Sequence, residues 1–251
     1  MPEKIVLTEK VDHDRWRDAQ KWEEAHWIRS QHARAKYGKN WIWRAMHAAG
    51  LVDKYRGDDW NLWWKKQFGD YRFLPRNLNN AIEVGCGPYT NIRYIIPTCR
   101  PDHLFLSDPL IKTYVQFKLA FTADAYRKAF CILDDHPLEE IPYRDNFFDL
   151  AVMINVLDHV RDATLCMENL IRIIKPGGWI IIGQDLTNEE DLDVLSKDPG
   201  LVGHPIKISH DWFSPHLEGK FNPSISRVLS REEGREPANH YGTFLFAATK
   251  L

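Results

Sequence analysis

An excess of either charge is missing from this 251-residue chain: 33 Lys and Arg stand against 35 Asp and Glu, a net charge of −2 and a pI near 6.6. No basic footprint marks it for a phosphate backbone, so a nucleic-acid partner is not expected. Cysteine is sparse. The four residues Cys86, Cys99, Cys131 and Cys166 show no Cys-x-x-Cys spacing, which argues against a zinc site and for a reducing compartment. No long apolar run occurs, so no membrane partner is expected and a soluble cytoplasmic protein is. Internal repeats and low-complexity tracts are absent too. What is present is a chain 44% hydrophobic, long enough to bury a sizeable core as one large domain or one domain with an appendage.

The texture changes near residue 75. Before it lie eight of the ten tryptophans, Trp16, Trp22, Trp27, Trp41, Trp43, Trp60, Trp63 and Trp64, set among charged residues. Helices are predicted over Asp12–Lys36 and Asn40–Ala49, the second stopping at Gly50. So many rings supply a large burial area, which argues against disorder. Residues 1–75 therefore read as a Trp-rich helical cap, either fastening onto the rest or forming a lid over a site. Gln20, Glu23, His26 and Trp27 are the cap residues to watch, because Glu23 and Trp27, four apart, share a helix face.

Ala81-Ile-Glu-Val-Gly-Cys-Gly-Pro-Tyr89 reads as a buried strand breaking into a glycine turn. Gly85 and Gly87 lack the Cβ that would keep a ligand off the backbone. Glu83 is poorly placed for a core, so it accepts hydrogen bonds from the turn's own N–H groups or faces a cationic ligand. The third glycine of a dinucleotide fingerprint is missing, since Thr90 stands there and Pro88 follows Gly87, which weakens a nicotinamide reading.

Downstream, apolar runs alternate with helical stretches. Strands are expected at Ala81–Val84, His103–Ser107, Ala129–Leu133, Leu150–Ile154 and Trp179–Gln184, with helices over Tyr89–Ile96, Ile111–Ala125 and Ala163–Ile174. That order predicts an α/β fold, a doubly wound, mostly parallel sheet. Ile225–Ser230 and Tyr241–Thr249 add a hairpin, and Ser209 is placed as the cap of a helix after the polar loop Thr187–Ile208. Gly85, Asp108, Asp134 and Asn155 fall at strand carboxyl ends, where ligands sit in such sheets.

Taken in order, the Glu83-Val-Gly-Cys-Gly87 turn, Asp108, Ile141-Pro-Tyr-Arg-Asp-Asn-Phe-Phe-Asp149, Val156-Leu-Asp-His-Val160 and Lys175-Pro-Gly-Gly178 resemble the class I S-adenosylmethionine-dependent methyltransferases, in their small-molecule branch. The resemblance spans about Leu78 to Leu251 and implies a seven-stranded sheet ending in an antiparallel hairpin over residues 76–251. It implies S-adenosylmethionine as cofactor. Gly85, Cys86 and Gly87 would lie against its methionyl and ribose portion with Glu83 in electrostatic support. Asp108, before Pro109, would accept both ribose hydroxyls unless it only initiates a turn. Asp134 is favoured over Asp135 for the adenine, with Leu133 or His136 flanking the ring, and Asn155 completes the cofactor contacts. Phe148 and Asp149 are expected to buttress the core.

Methyl transfer to a hydroxyl needs positioning and a base. His159 is the candidate base, following the fourth strand with an intrinsic pKa near neutrality. His204, in Gly203-His-Pro205, is the second candidate catalytic residue, and Asp185 could orient either. Asp185 with Asn188 makes a thin imitation of a metal site, and no metal is expected. The expected partner is a small-molecule acceptor such as a sugar or secondary metabolite. Methylation of nitrogen or of a macromolecule is the alternative, and a non-catalytic cofactor-binding module the third reading. The acceptor's identity and the oligomeric state are not encoded in any motif.

Overall fold

In the computed structural model, residues 8–37, 41–42, 57–115, 130–187, 202–234 and 242–251 are described. The predicted helix Asn40–Ala49 and the distal part of Ile111–Ala125 lie largely outside them, as does Asn188.

The apolar runs become one seven-stranded sheet: β1 Asn77–Val84, β2 Arg100–Ser107, β3 Phe130–Asp134, β4 Phe148–Ile154, β5 Ile174–Asp185, β6 Phe221–Leu229 and β7 Thr243–Lys250. Their order is β3-β2-β1-β4-β5-β7-β6. β3, β2, β1, β4 and β5 are mutually parallel, and β7 runs antiparallel to both β5 and β6. The expected doubly wound sheet with a terminal hairpin is thus the fold, and no helix among the described residues is long and apolar enough to cross a membrane.

Five strands begin before the predicted runs, β1 and β5 for reasons visible in the pairing. β1 begins four residues early because Asn77 and Leu78 still pair with Arg100 and Pro101. The Lys175-Pro-Gly-Gly178 turn does not precede a strand as expected but bulges within β5. Phe148 pairs with Ile174 and Leu150 with Trp179, and the residues between loop out through Gly177 at φ +74°.

Period-two alternation sends side chains to two cores. Leu104 and Leu106 face one with Leu150, Val152 and Leu245, while Phe105 faces the other with Phe148, Met153 and Phe246. Helix α5, Ala163–Ile173, covers the second core with Ala163, Cys166, Met167 and Leu170, and Asp162 caps it by accepting from Leu165 N at 3.0 Å. The shorter helices α3, Ile92–Ile95, and α4, Ile111–Val115, follow β1 and β2, and α6, Ser214–Leu217, precedes β6. Ser209 stands at the cap position before the 3₁₀ turn His210–Phe213, yet its side chain makes no capping bond.

The N-terminal helices join this frame. α1, His13–Tyr37, is capped by Asp12, whose Oδ1 accepts from Arg15 N at 2.8 Å. α2, Gly57–Gln67, buries Trp64 so tightly that a Cβ on Gly183 would come within 2.6 Å of its ring. Trp64, Phe68, Tyr71 and Leu74 belong to the first core, so a division near residue 75 passes through packed side chains.

Candidate active site

The order of the strands reverses between β1 and β4, and a cleft opens at their carboxyl ends. Its floor is the turn after β1. Gly85 (φ +59°) is obligatory there, because a Cβ would lie 2.5 Å from Val156 Cγ2. Gly87 (φ +56°) has nothing within 4 Å of where its Cβ would stand, so this backbone faces open space.

Asp108 ties the first two strand ends together. Its Oδ2 accepts from Gly87 N at 3.0 Å and its Oδ1 from Leu110 N at 2.9 Å. Burial pushes its carboxyl up to about 6 against those two bonds. Asp108 and Pro109 line the cleft, as do Gly85, Cys86, Gly87 and Asn155.

Glu83 does not reach the cleft wall. Its Oε1 accepts from Asn91 N at 2.8 Å and Asn91 Nδ2 at 3.3 Å, and its Oε2 from Ile92 N at 3.0 Å. Of the two roles open to it in the sequence, the structure gives it the first: it holds the turn from beneath, with burial raising its carboxyl to about 7.

At the third strand end the wall is made by His136, Pro137 and Leu138. Asp134 stands behind them, its Oδ1 accepting from His136 N at 3.0 Å and contacting His136 Nδ1 at 2.5 Å, which raises the histidine's pKa. Asp134 thereby orients His136, and Leu133 points outward, 45% exposed. Asp149 receives Asn79 N, Asn80 N and Lys175 Nζ, and Phe148 is buried, so both serve the core.

The two candidate histidines, 45 positions apart, form one cluster with ring centroids 4.4 Å from each other. His159 lies on the cleft wall and His204 behind it. His159 Nδ1 donates to Gly203 O at 2.9 Å, which leaves Nε2 as its titratable nitrogen, 3.6 Å from Asp158 Oδ2. His204 Nδ1 contacts the same Oδ2 at 2.6 Å. Burial lowers the His159 pKa, but the charges of Asp158 and Glu23 outweigh it and the net shift is upward. For His204, burial and the neighbouring His159 charge outweigh Asp158, and the shift is downward. Burial raises the Asp158 carboxyl, yet the two histidines and Gln184 hold it well below the usual range.

Gln184 fixes this arrangement. Its Nε2 donates to Asp158 Oδ1 at 3.0 Å while its Oε1 accepts from Val156 N and Leu157 N. Asp185, expected to orient a histidine, instead receives Thr243 Oγ1 at 3.1 Å.

The roof is α1. Trp16, Gln20, Glu23 and Trp27 line the cleft, whereas His26 stacks on Trp22 at 5.1 Å. Gln20 Nε2 donates to His159 O at 3.3 Å, Trp27 Nε1 to Glu23 Oε1 at 2.6 Å, and Thr113 Oγ1 to Glu24 Oε1 at 2.6 Å. Trp22 covers Gly203, whose added Cβ would meet the indole at 2.4 Å. From α2, Asn61 Nδ2 donates to Tyr89 O, placing Asn61 and Tyr89 on the wall. Sequence reasoning passed over Asn61, Tyr89, Tyr114, Glu139, Asp158 and Gln184, none of which carries a spacing that marks it.

Residues 82–182 match the family described as Methyltransferase domain. The chain is 29% identical over 158 residues to a tRNA (carboxymethyluridine(34)-5-O)-methyltransferase of Arabidopsis thaliana, a match covering 61% of this chain and 34% of the relative, about a third of its length. Among solved structures, the N-methyltransferase NodS from Bradyrhizobium japonicum WM9, in complex with S-adenosyl-L-homocysteine, superposes with a TM-score of 0.57 at 14% identity, over 88% of this chain and 98% of that one. A SAM-dependent methyltransferase from Methanosarcina mazei gives 0.54 at 16% identity, over 72% of this chain and 96% of that one. At such identities these two likenesses speak for the fold.

Proposed function

We propose that the chain acts as a class I S-adenosylmethionine-dependent methyltransferase, that its acceptor is a hydroxyl on a small molecule and that His159 is the general base. The observation carrying this reading is the His159 ring on the cleft wall, its Nδ1 committed to Gly203 O and its Nε2 beside Asp158. A hydroxyl must lose a proton as it is methylated. A neutral imidazole backed by a buried carboxylate accepts that proton and is stabilised as the imidazolium.

The residues present suit the cofactor. Gly87 leaves room at the backbone, and Asp108 keeps lone pairs on both oxygens for a ribose diol beyond its two backbone bonds. His136, Pro137 and Leu138 offer the apolar slot for an adenine, oriented by Asp134, and Asn155 and Cys86 border the methionyl side. When bound, S-adenosylmethionine supplies an electrophilic methyl on a sulfonium. The chain's own part is to anchor, align and exclude water beneath α1, with residues 1–75 acting as the cap, and to move one proton to His159 Nε2.

A second reading, in which the acceptor is an RNA, draws on the name of the plant relative. Against it, the described residues of the cleft wall include Glu23, Asp108 and Glu139 and no Lys or Arg, which favours an acceptor without phosphate. A screen with methyl-labelled cofactor over sugars, phenols and bulk tRNA separates the two. With an acceptor in hand, His159→Gln should lower kcat by about 10²- to 10⁴-fold. In the wild type, kcat/KM should rise with pH through an inflection above the ordinary 6.5 of histidine, since only the neutral ring is a base. Asp158→Asn should move that inflection down. An unchanged pH profile in both variants would remove His159 as the base.

A further inference from the structure

Glu23 is a cleft-wall carboxylate with one oxygen to which no described residue donates a hydrogen bond. Asp108 uses both oxygens on backbone N–H groups, and Glu139 receives Arg161 N and Asp162 N. Glu23 Oε1 is taken by Trp27 Nε1, while Oε2 accepts no hydrogen bond among the described residues and stands 3.9 Å from His159 Nδ1. Its side chain is only 17% exposed, on a helix fixed by Gln20 to His159 O and by Glu24 to Thr113. Glu23, Asp108 and His159 line the same cleft, so the carboxylate shares it with the proposed ribose anchor and adjoins the proposed base.

The connectivity of S-adenosylmethionine gives that position a meaning. Its sulfur is one carbon away from the ribose, and the methyl leaves towards the oxygen that the base deprotonates. A carboxylate beside the base, in the cleft that also holds the ribose anchor, therefore faces the sulfonium. On transfer the methyl–sulfur bond breaks with its electron pair remaining on sulfur, a methyl–oxygen bond forms, and the hydroxyl proton passes to His159 Nε2. The positive charge at sulfur is gone, and S-adenosylhomocysteine has nothing there to pair with a carboxylate.

We propose that Glu23 reads the charge of the cofactor, so that the cleft holds S-adenosylmethionine more tightly than the demethylated product and expels the product after each turnover. No Lys or Arg among the described wall residues offsets it. The proposal rests on the assignment of Asp108 and His159 above, and its test needs no acceptor.

Calorimetric titration of the full chain with S-adenosylmethionine, S-adenosylhomocysteine and sinefungin, which carries an ammonium where the cofactor carries its methylsulfonium, decides it. The wild type should bind both cationic ligands on the order of tenfold more tightly than S-adenosylhomocysteine. Glu23→Gln, which keeps an acceptor for Trp27, should erase most of that preference while changing S-adenosylhomocysteine affinity by less than about twofold. Glu24→Gln should leave the preference intact. Equal affinities in the wild type, or an equal loss for all three ligands in Glu23→Gln, overturns the proposal. Should that variant not fold, the wild-type ratios still decide it. Binding of none of the three would instead sink the cofactor site itself, so the two failures are distinguishable.

Discussion

Asp108 anchors the proposed cofactor site at the scale of a single residue, and its environment makes a prediction that can be signed. Burial has raised its carboxyl from 3.8 to about 6. Only the ionised form accepts from two ribose hydroxyls, so affinity for S-adenosylhomocysteine should be flat above about pH 7 and fall as the pH drops through about 6. Asp108→Asn should weaken binding by about 10- to 100-fold, as expected for bonds to a charged acceptor, and should remove the pH dependence. Linkage signs the stability of the empty protein. The folded carboxyl holds its proton more tightly than the unfolded one, so its contribution is complete below about pH 4 and lost as the pH rises through about 6. Titrations between pH 5 and 8 check both statements, and a flat affinity profile would remove Asp108 from the ribose. An acid at the tip of a second strand is legible in sequence because strand, turn and spacing are all local. Glu83 is legible only as an anomaly, since whether it meets turn or ligand depends on where Asn91 and Ile92 fold back. The Asp158–Gln184 bond is not legible: its partners lie 26 positions apart, and although Asp158 stands inside the Val156-Leu-Asp-His-Val160 motif, nothing local to it points to Gln184.

Elements show where local pattern stops being sufficient. β1 and β2 were readable because their last four residues are all buried, as parallel strands covered on both faces must be. The bulge in β5 was not, because Lys175-Pro-Gly-Gly178 reads equally as a turn between elements or a loop within one, and only pairing of Phe148 with Ile174 decides. The junction of β1 with the loop after β4 gives a sharper test. Gly85 has φ +59°, and an added Cβ would enter Val156. Gly85→Ala should cost about 1–2 kcal/mol for the left-handed backbone and about 1–3 kcal/mol more for the clash. Val156→Ala removes the obstructing methyls, so the double variant should be less destabilised than the sum of the two by about 1–2 kcal/mol. Urea denaturation of the four proteins measures that coupling. Strict additivity would mean that the turn, not Val156, sets the requirement for glycine. Cofactor affinity should stay low in the double variant, because the backbone term is not relieved.

Across the whole molecule, the question is where the cap ends and the catalytic domain begins. The change in tryptophan content near residue 75 suggests a division there, yet the packing argues for an earlier one. Trp64, Phe68 and Tyr71 are at most 1% exposed and Leu74 is 6% exposed, all in the core that also holds Leu104, Val152 and Leu245. Composition could not reveal this, because a tryptophan that fastens a helix to a sheet and one that roofs a cleft look alike in sequence. Each of these side chains is worth about 1.5–3 kcal/mol of burial, so losing four removes an amount comparable to the 5–15 kcal/mol by which a domain is stable. A chain starting at residue 76 should therefore lack a cooperative urea transition and expose apolar surface to a dye. A chain starting at residue 57 keeps α2 and these four side chains, and should unfold cooperatively. It loses α1, and with it Trp16, Gln20, Glu23 and Trp27 from the cleft wall, so its affinity for S-adenosylmethionine should fall while its far-ultraviolet signature of strand and helix persists. Cooperative unfolding of the shorter chain would place the boundary at 75 and reduce α2 to an ornament of the cap. The opposite result would mean that the α2 region, Gly57 to Leu74, is a structural part of the methyltransferase domain and that only α1 is free to act as its roof.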